Sequence, residues 1–285
     1  MAYKSMQFMP GNNPGMLFSA DILGADAVII DLEDAVGTTE KDTARILVRE
    51  YLLQYKPKTD IFIRINPLDS PYFYEDIDAI IDLDIKGIML PKSSVESVKE
   101  LDKVLDENDS DFTIFGLIET AMGLEESLEI LGASKKVQGV LLGAEDLTLD
   151  LGSVRTKDSE EIRYARSKIV AVSKALQIEA IDTPFTDTDD LEGLKIDTEF
   201  AKSIGMTGKA SISPRHLYTI NKVFAPTEAE IDHAIRVCEG ALDAREKGLG
   251  AWSLDGKMVD APIIKRALNV LKSSGDYKEE YDVLG

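Results

Sequence analysis

Short apolar, β-branched runs alternate with amphipathic stretches along most of this chain, and the runs tend to stop at a carboxylate. The clearest pair is Thr113-Ile-Phe-Gly-Leu-Ile-Glu119 and Gly139-Val-Leu-Leu-Gly-Ala-Glu145-Asp146. Each run reads as a buried strand. One helix, Gly123 to about Lys135, fits between them, so Glu119 and Asp146 are expected to face one site from neighbouring strands. In alternating strand–helix folds the C-terminal rim of the sheet is where ligands and metals bind.

The alternation extends in both directions. Candidate strands are Gln7–Met9, Ala27–Leu32, Ile61–Asn66, Gly87–Leu90, Phe112–Ile118, Gly139–Leu142, Glu179–Ile181 and Lys209–Ile212. Between them lie helix-like stretches at Met16–Leu23, Glu40–Leu53, Tyr74–Leu83, Val95–Glu107, Gly123–Leu131, Ser159–Leu176 and Asp189–Ser203. About eight such repeats fit a (β/α)8 TIM barrel better than a doubly wound open sheet. The open sheet also lacks its dinucleotide fingerprint, because Pro10-Gly-Asn-Asn-Pro-Gly15 has the wrong spacing for Gly-x-Gly-x-x-Gly. The barrel is assigned to residues 1–225. Residues 226–285 form a C-terminal helical extension, with helices at Thr227–Lys247 and Pro262–Lys272 around a Gly-containing break. It is too small to be expected to hold a core alone.

Composition narrows the partners. A formal net charge of −20 and a pI near 4.5 argue against nucleic acid and against an anionic membrane surface. Anionic substrates remain open, since local cations act within a screening distance of about 10 Å. No apolar stretch approaches the roughly 18 residues of a membrane span. The start, Met1 to Pro10, lacks a signal-peptide core. A lone cysteine, Cys238, gives no internal disulfide. These features together suggest a cytoplasmic protein.

Glu119 and Asp146 suit Mg²⁺, which keeps several coordination positions for water and substrate. With only two histidines, His216 and His233, a transition-metal site is hard to build. Helix capping or pairing with rim Lys and Arg is the bland alternative. Glu145 is expected to point away from Asp146 on a strand. Arg64, inside the apolar run Ile61-Phe-Ile-Arg-Ile-Asn66, needs an anionic partner. That partner is a substrate carboxylate, a structural carboxylate among Asp31, Glu33 and Asp34, or both. Alternation sends Asp31 and Glu33 to one face and Asp34 to the other. The Pro10–Gly15 loop, Leu90-Pro91-Lys92 and Ser213-Pro214-Arg215-His216 are weaker anion-site candidates. Asp260, just before a Pro-started helix, reads as an N-cap. Lys209 is the tempting Schiff-base lysine, set aside because its neighbours look polar.

Seven segments occur in order: Phe8-Met-Pro-Gly-Asn-Asn-Pro-Gly15, Asp31-Leu-Glu-Asp-Ala-Val36, Ile63-Arg-Ile-Asn66, Leu90-Pro-Lys92, Ile118-Glu-Thr-Ala121, Gly143-Ala-Glu-Asp146 and Gly256-Lys-Met-Val-Asp260. Together, over about Met6 to Leu271, they resemble the HpcH/HpaI aldolase and malyl-CoA lyase superfamily, and within it the citrate lyase β subunits. The resemblance implies Mg²⁺-dependent carbon–carbon cleavage of an acyl thioester by a barrel that oligomerises, commonly as a trimer. It implies that Glu119 and Asp146 hold the metal, that Arg64 binds a carboxylate, and that the backbone through Ala144, Glu145 and Asp146 contacts substrate. Asp260 would act as acid/base from an adjacent subunit, against which the extension would pack. The segment Ser211-Ile-Ser-Pro-Arg-His216 departs from the family pattern, which leaves its thioester-carrier contacts open.

A citryl thioester split into an acetyl thioester and oxaloacetate is the first implied reaction, with citrate lyase α and γ (acyl carrier) subunits as partners. A stand-alone malyl-CoA, citramalyl-CoA or related lyase using free CoA is the alternative. A non-catalytic scaffold subunit is the reading from another class.

Overall fold

The computed structural model describes residues 3–284. Met1, Ala2 and Gly285, the outer ends of the two expected segments, lie outside them. The chain divides into two compact units, Met1–Phe224 and Ala225–Gly285.

The first unit is a closed barrel of eight parallel strands in sequence order. They are β1 Ser5–Pro10, β2 Ala27–Asp31, β3 Asp60–Arg64, β4 Gly87–Leu90, β5 Thr113–Ile118, β6 Val137–Leu142, β7 Glu179–Asp182 and β8 Gly208–Ser211. Closure comes from β1 pairing β8, with Met6 opposite Ala210 and Gln7 opposite Ser211. Every expected strand is present, shifted by at most two residues at either end. Strand alternation divides the apolar residues between two cores. Met6, Ile29, Phe62, Met89, Phe115 and Leu141 fill the barrel. Their neighbours Val28, Ile30, Ile63, Ile88, Val140 and Leu142 face outward into a larger core with the helices.

The filling is tight at Phe115. Its ring meets Phe62 edge-on at 4.8 Å and Tyr3 at 6.0 Å. The register between β5 and β6 shifts at Ile114/Phe115, and Gly139 stands opposite Phe115. A Cβ at Gly139 would lie 2.2 Å from that ring. Glycine here is a packing requirement.

The helices depart from the sequence reading where side chains compete with the backbone. Met16–Leu23 is not one helix. A short turn, α1 Pro14–Leu17, is capped by Asn13, and a 3-10 turn follows at Ala20–Ile22. Between them the Ser19 hydroxyl donates to the Met16 carbonyl, a local bond that draws on an acceptor the helix would use. After α2 Lys41–Tyr55, α3 Phe73–Ile80 and α4 Val95–Glu107, the stretch at Gly123–Leu131 is split at Glu126 into α5 Ala121–Glu125 and α6 Ser127–Leu131. Two helices escaped the reading: α7 Ala144–Asp150, directly after β6, and one that follows β8. Then come α8 Arg163–Leu176, α9 Leu191–Ile204 and α10 Leu217–Phe224.

The polar surroundings of Lys209 are a buried ion cluster contributed by other elements. Lys209 is fully buried on β8, and its Nζ donates to Asp182 at 2.6 Å and Asp197 at 2.7 Å. Arg166, from α8, grips Asp182 with two bonds of 2.8 Å and also reaches Asp197. Lys209 is therefore a charge partner in a buried cluster.

The second unit holds α11 Glu228–Glu246, with a Thr227–Glu230 capping box, and α12 Ala261–Ser274. The Gly-containing break between them is a hairpin, β9 Trp252–Leu254 and β10 Lys257–Val259. Asp255 and Gly256 turn it with φ of +52° and +77°. Asp-Gly between short strands is the strong hairpin signal that the sequence reading passed over. The unit gathers a small apolar cluster of its own around Val237, Cys238, Leu271 and Tyr281. No helix among the described residues is long and apolar enough to cross a membrane.

Substituting Gly139→Ala should force the Phe115 ring or the β5–β6 backbone to move, at a cost of about 1–3 kcal/mol. Urea unfolding of the variant measures this; an unchanged midpoint would contradict the packing account.

Candidate active site

The C-terminal ends of the strands converge on a cavity of about 560 Å³. Its wall includes Phe8, Asp31, Asp34, Arg64, Leu117, Glu119, Gly143 to Asp146, Thr183 and Ile212. Arg64, Glu119 and Asp146 are thus brought together as the sequence implied, along with Ala144 and Glu145. Asp260 belongs to the second unit. There it caps α12, accepting from the Ile263 amide at a long 3.4 Å, as its N-cap reading expected.

Arg64 ends β3 beside the end of β2, since Asp31 and Arg64 are paired in the register. Its guanidinium donates to Asp31 from Nε at 2.8 Å and from Nη2 at 2.5 Å. Nη1 lies 3.0 Å from Glu33 and 3.7 Å from Asp34. The Phe8 ring lies under the cation at 5.2 Å, a favourable contact with a ring face. The structural partnership therefore holds, and Arg64 still borders the cavity. The expected split of Asp34 to the opposite face does not occur. Regular strand ends at Asp31, and the following turn carries all three carboxylates to Arg64. That turn is fixed by Asp31 accepting from the Glu33 and Ala35 amides, and by Lys41 donating to the Leu32 and Glu33 carbonyls.

Glu119 is buried just past β5. It accepts from the Lys92 amide at 2.8 Å, and Lys92 adopts a left-handed φ of +45° at that point. Such a backbone in a non-glycine residue is strained and marks a place where the surroundings dictate geometry. The sequence showed Lys92 as a positive side chain; its backbone N–H makes the contact to Glu119. Its Nζ lies 3.7 Å from Glu33.

Glu145 and Asp146 stand in the first turn of α7, because the strand stops at Leu142. Strand alternation therefore does not separate them. Glu145 is mostly exposed and pairs with Arg155 at 3.0 Å. The Ala144 amide donates to the Thr183 hydroxyl at 3.3 Å. Among the described residues, no hydrogen bond is drawn from the amides of Glu145 and Asp146. Two weaker candidates are accounted for differently. In the Pro10–Gly15 loop, Asn13 caps α1 and Asn12 donates to Glu40. Arg215 pairs with Asp189 at the surface, while His216 is buried.

The rim carries more carboxylate than cation. Burial, and then the neighbouring Glu33 charge, push Glu119 up to about 8, against the pull of the Lys92 amide and Arg64. Burial likewise raises Glu33 to about 7, although Arg64 opposes it. Both Glu33 oxygens are buried without a hydrogen bond, their ion pairs notwithstanding. Excess buried negative charge with open oxygen lone pairs fits a hard divalent cation. Among the described residues no group of three or more His, Cys, Asp or Glu side chains could hold a metal by itself. Two carboxylates completed by water and substrate oxygens fit Mg²⁺ without one.

Residues 4–214 match the HpcH/HpaI aldolase/citrate lyase family. The chain is 38% identical to citrate lyase subunit beta of Leuconostoc mesenteroides subsp. cremoris, over 97% of this chain and 98% of that protein. It is 28% identical to the mitochondrial citramalyl-CoA lyase of Rattus norvegicus, over 97% of this chain and 87% of that one. Among solved structures, the CitE protein of Mycobacterium tuberculosis in complex with magnesium, acetoacetate and coenzyme A superposes with a TM-score of 0.81. It is 30% identical, covering 96% of this chain and 98% of that one.

The raised carboxyls set a pH dependence. In the metal-free chain each folded-state value lies above the ordinary carboxylate range, so folding favours the protonated form. The resulting stability is complete in acid and lost as pH rises through about 7 to 8. A divalent cation bound at Glu119 would displace its proton. Between pH 6 and 8 the apparent Mg²⁺ affinity should therefore rise, by up to about 10-fold per unit for each proton released, and level off above. Calorimetry in two buffers of different ionisation enthalpy measures the proton release. A pH-independent affinity with no released proton would contradict it.

Proposed function

We propose that this chain, which belongs to the HpcH/HpaI aldolase/citrate lyase family, is a Mg²⁺-dependent carbon–carbon lyase that cleaves a citryl thioester to an acetyl thioester and oxaloacetate. The observation that carries the reading is the convergence of Arg64, Glu119 and Asp146 on one cavity. Glu119 and Asp146 would hold the metal, which supplies Lewis-acid polarisation of the keto-acid oxygens.

The chain's own groups divide the remaining work. Arg64, backed by Asp31, orients a substrate carboxylate through its planar fork. The open amides of Glu145 and Asp146, at the positive end of α7, favour a second carboxylate. Ala144 contributes as part of the wall, since its amide is given to Thr183. Cleavage moves one proton off the 3-hydroxyl as the bond to the acetyl carbon breaks. The departing thioester enolate then takes one proton at carbon, so no net proton is consumed. Asp260 is assigned that carbon proton transfer, acting from the neighbouring subunit of a homotrimer or other homo-oligomer. Its single long capping bond leaves the carboxylate largely uncommitted. Such a positioned acid/base typically contributes about 10²–10⁴-fold.

As a citrate lyase β subunit the chain would work with α and acyl-carrier γ subunits in the cytoplasm. The likeness to citramalyl-CoA lyase supports a second reading, a stand-alone enzyme on free CoA thioesters. Keto-acid release from citryl-, malyl- and citramalyl-CoA, with and without carrier protein, separates the two.

Glu119→Ala should lower Mg²⁺-dependent cleavage by more than about 100-fold with the fold retained. Full activity of that variant in chelator would remove Glu119 from the metal site. Mixing Asp260→Ala with Arg64→Ala subunits should restore activity that neither variant has alone; no recovery in a confirmed mixed oligomer would place Asp260 outside a shared site.

A further inference from the structure

The helix that carries Asp146 starts without a cap of its own. Its N-cap position is Gly143, which offers no side chain to the first-turn amides. Ser, Thr, Asp or Asn normally fills that role, but none fits here. A Cβ at Gly143 would lie 2.6 Å from the Glu119 Cβ and 2.9 Å from its Oε2. The close approach of the two metal-binding segments thus excludes the usual cap.

A hydroxyl from the next strand takes its place. Thr183, buried on the cavity wall just past β7, accepts from the Ala144 amide at 3.3 Å. Thr183 is itself immediately tethered. It follows Asp182, whose carboxylate is held by two bonds from Arg166 and one from Lys209. Asp197 closes the cluster by pairing with both cations. Those cations hold Asp197 below the usual carboxylate range although burial acts the other way. A buried ion cluster is weak evidence for stability, and fixing a position is a role it can serve.

We propose that Thr183, anchored by the Arg166–Asp182–Lys209–Asp197 cluster, is a positioning residue that sets Asp146 for metal binding by capping α7 from the neighbouring strand. The inference rests on the reading of Asp146 as a metal ligand. Asp146 lies two residues beyond the capped amide, so a loosened first turn moves its carboxylate directly.

The test is Mg²⁺ binding to the intact protein by calorimetry, on Thr183→Val, Thr183→Ala, Thr183→Ser and Asp146→Asn. Losing a group that hydrogen-bonds a ligating side chain weakens metal affinity by about 10–100-fold; Thr183 acts on Asp146 through the helix backbone, which sets the expectation at the lower end, about 10-fold. Thr183→Val should show about that loss, with kcat at saturating Mg²⁺ changed far less than the Mg²⁺ requirement. Thr183→Ser, which keeps the hydroxyl, should stay within about 2-fold of the parent. If Thr183→Val does not fold, the Ala and Ser variants carry the same comparison. Unchanged affinity in the variants without hydroxyl, or equal loss in Thr183→Ser, overturns the capping role. Unchanged affinity in Asp146→Asn overturns the ligand reading itself, which keeps the two failures apart.

Discussion

Closing eight parallel strands into a barrel crowds carboxylates around one buried guanidinium. Asp31, Glu33, Asp34, Glu119 and Asp146 surround or adjoin the same cavity, with Arg64 as the buried cation among them and Lys92 half-exposed at its edge. Each acid is there because its strand, or the turn after it, ends at the same rim. Arg64 satisfies Asp31 fully and Glu33 in part, and it leaves Glu119 short of positive charge. Protonation or a bound cation is the physical remedy for that deficit. The proposed Mg²⁺ site would answer this imbalance, and the raised range of Glu33 and Glu119 follows from it together with burial.

The two halves of the charge balance have different structural supports. Arg64 is set by local chain geometry: adjacent registers on β2 and β3, a turn tied by Lys41, and the Phe8 face beneath it. Asp146 is set by a short helix whose cap comes from another strand. Glu119 links them, since its side chain takes the strained Lys92 amide and forces glycine at position 143.

Much of this was legible in the sequence, for identifiable reasons. Most of the strands declared themselves because parallel barrel strands are apolar on both faces and read as short continuous runs, β7 and β8, with Glu179, Asp182 and Lys209, being the exceptions. Glu119 and Asp146 were visible as acids where such runs stop, and Arg64 as an ion too costly to bury alone. What stayed hidden depended on local backbone form. The helix at Ala144–Asp150 is too short for periodicity to register, so Glu145 and Asp146 were read on a strand. The Asp255-Gly256 hairpin has strands of only three residues each. Lys209 looked polar in its local sequence, but its surroundings are made by Asp182, Arg166 and Asp197 from three other elements. Thr183 gave no signal at all, because its partner is an amide 39 positions away.

The central claim is that Glu119 and Asp146 jointly hold the divalent ion at the mouth of this barrel, with Arg64 facing the same ligand. Anomalous scattering from crystals grown with oxaloacetate, and with Mn²⁺ in place of Mg²⁺, tests it most directly. The account places a single strong peak about 2.0–2.2 Å from a carboxylate oxygen of each residue, the separation expected for a small octahedral ion. A peak bound by Glu33 and Asp34 instead, or one contacting neither Glu119 nor Asp146, would contradict it.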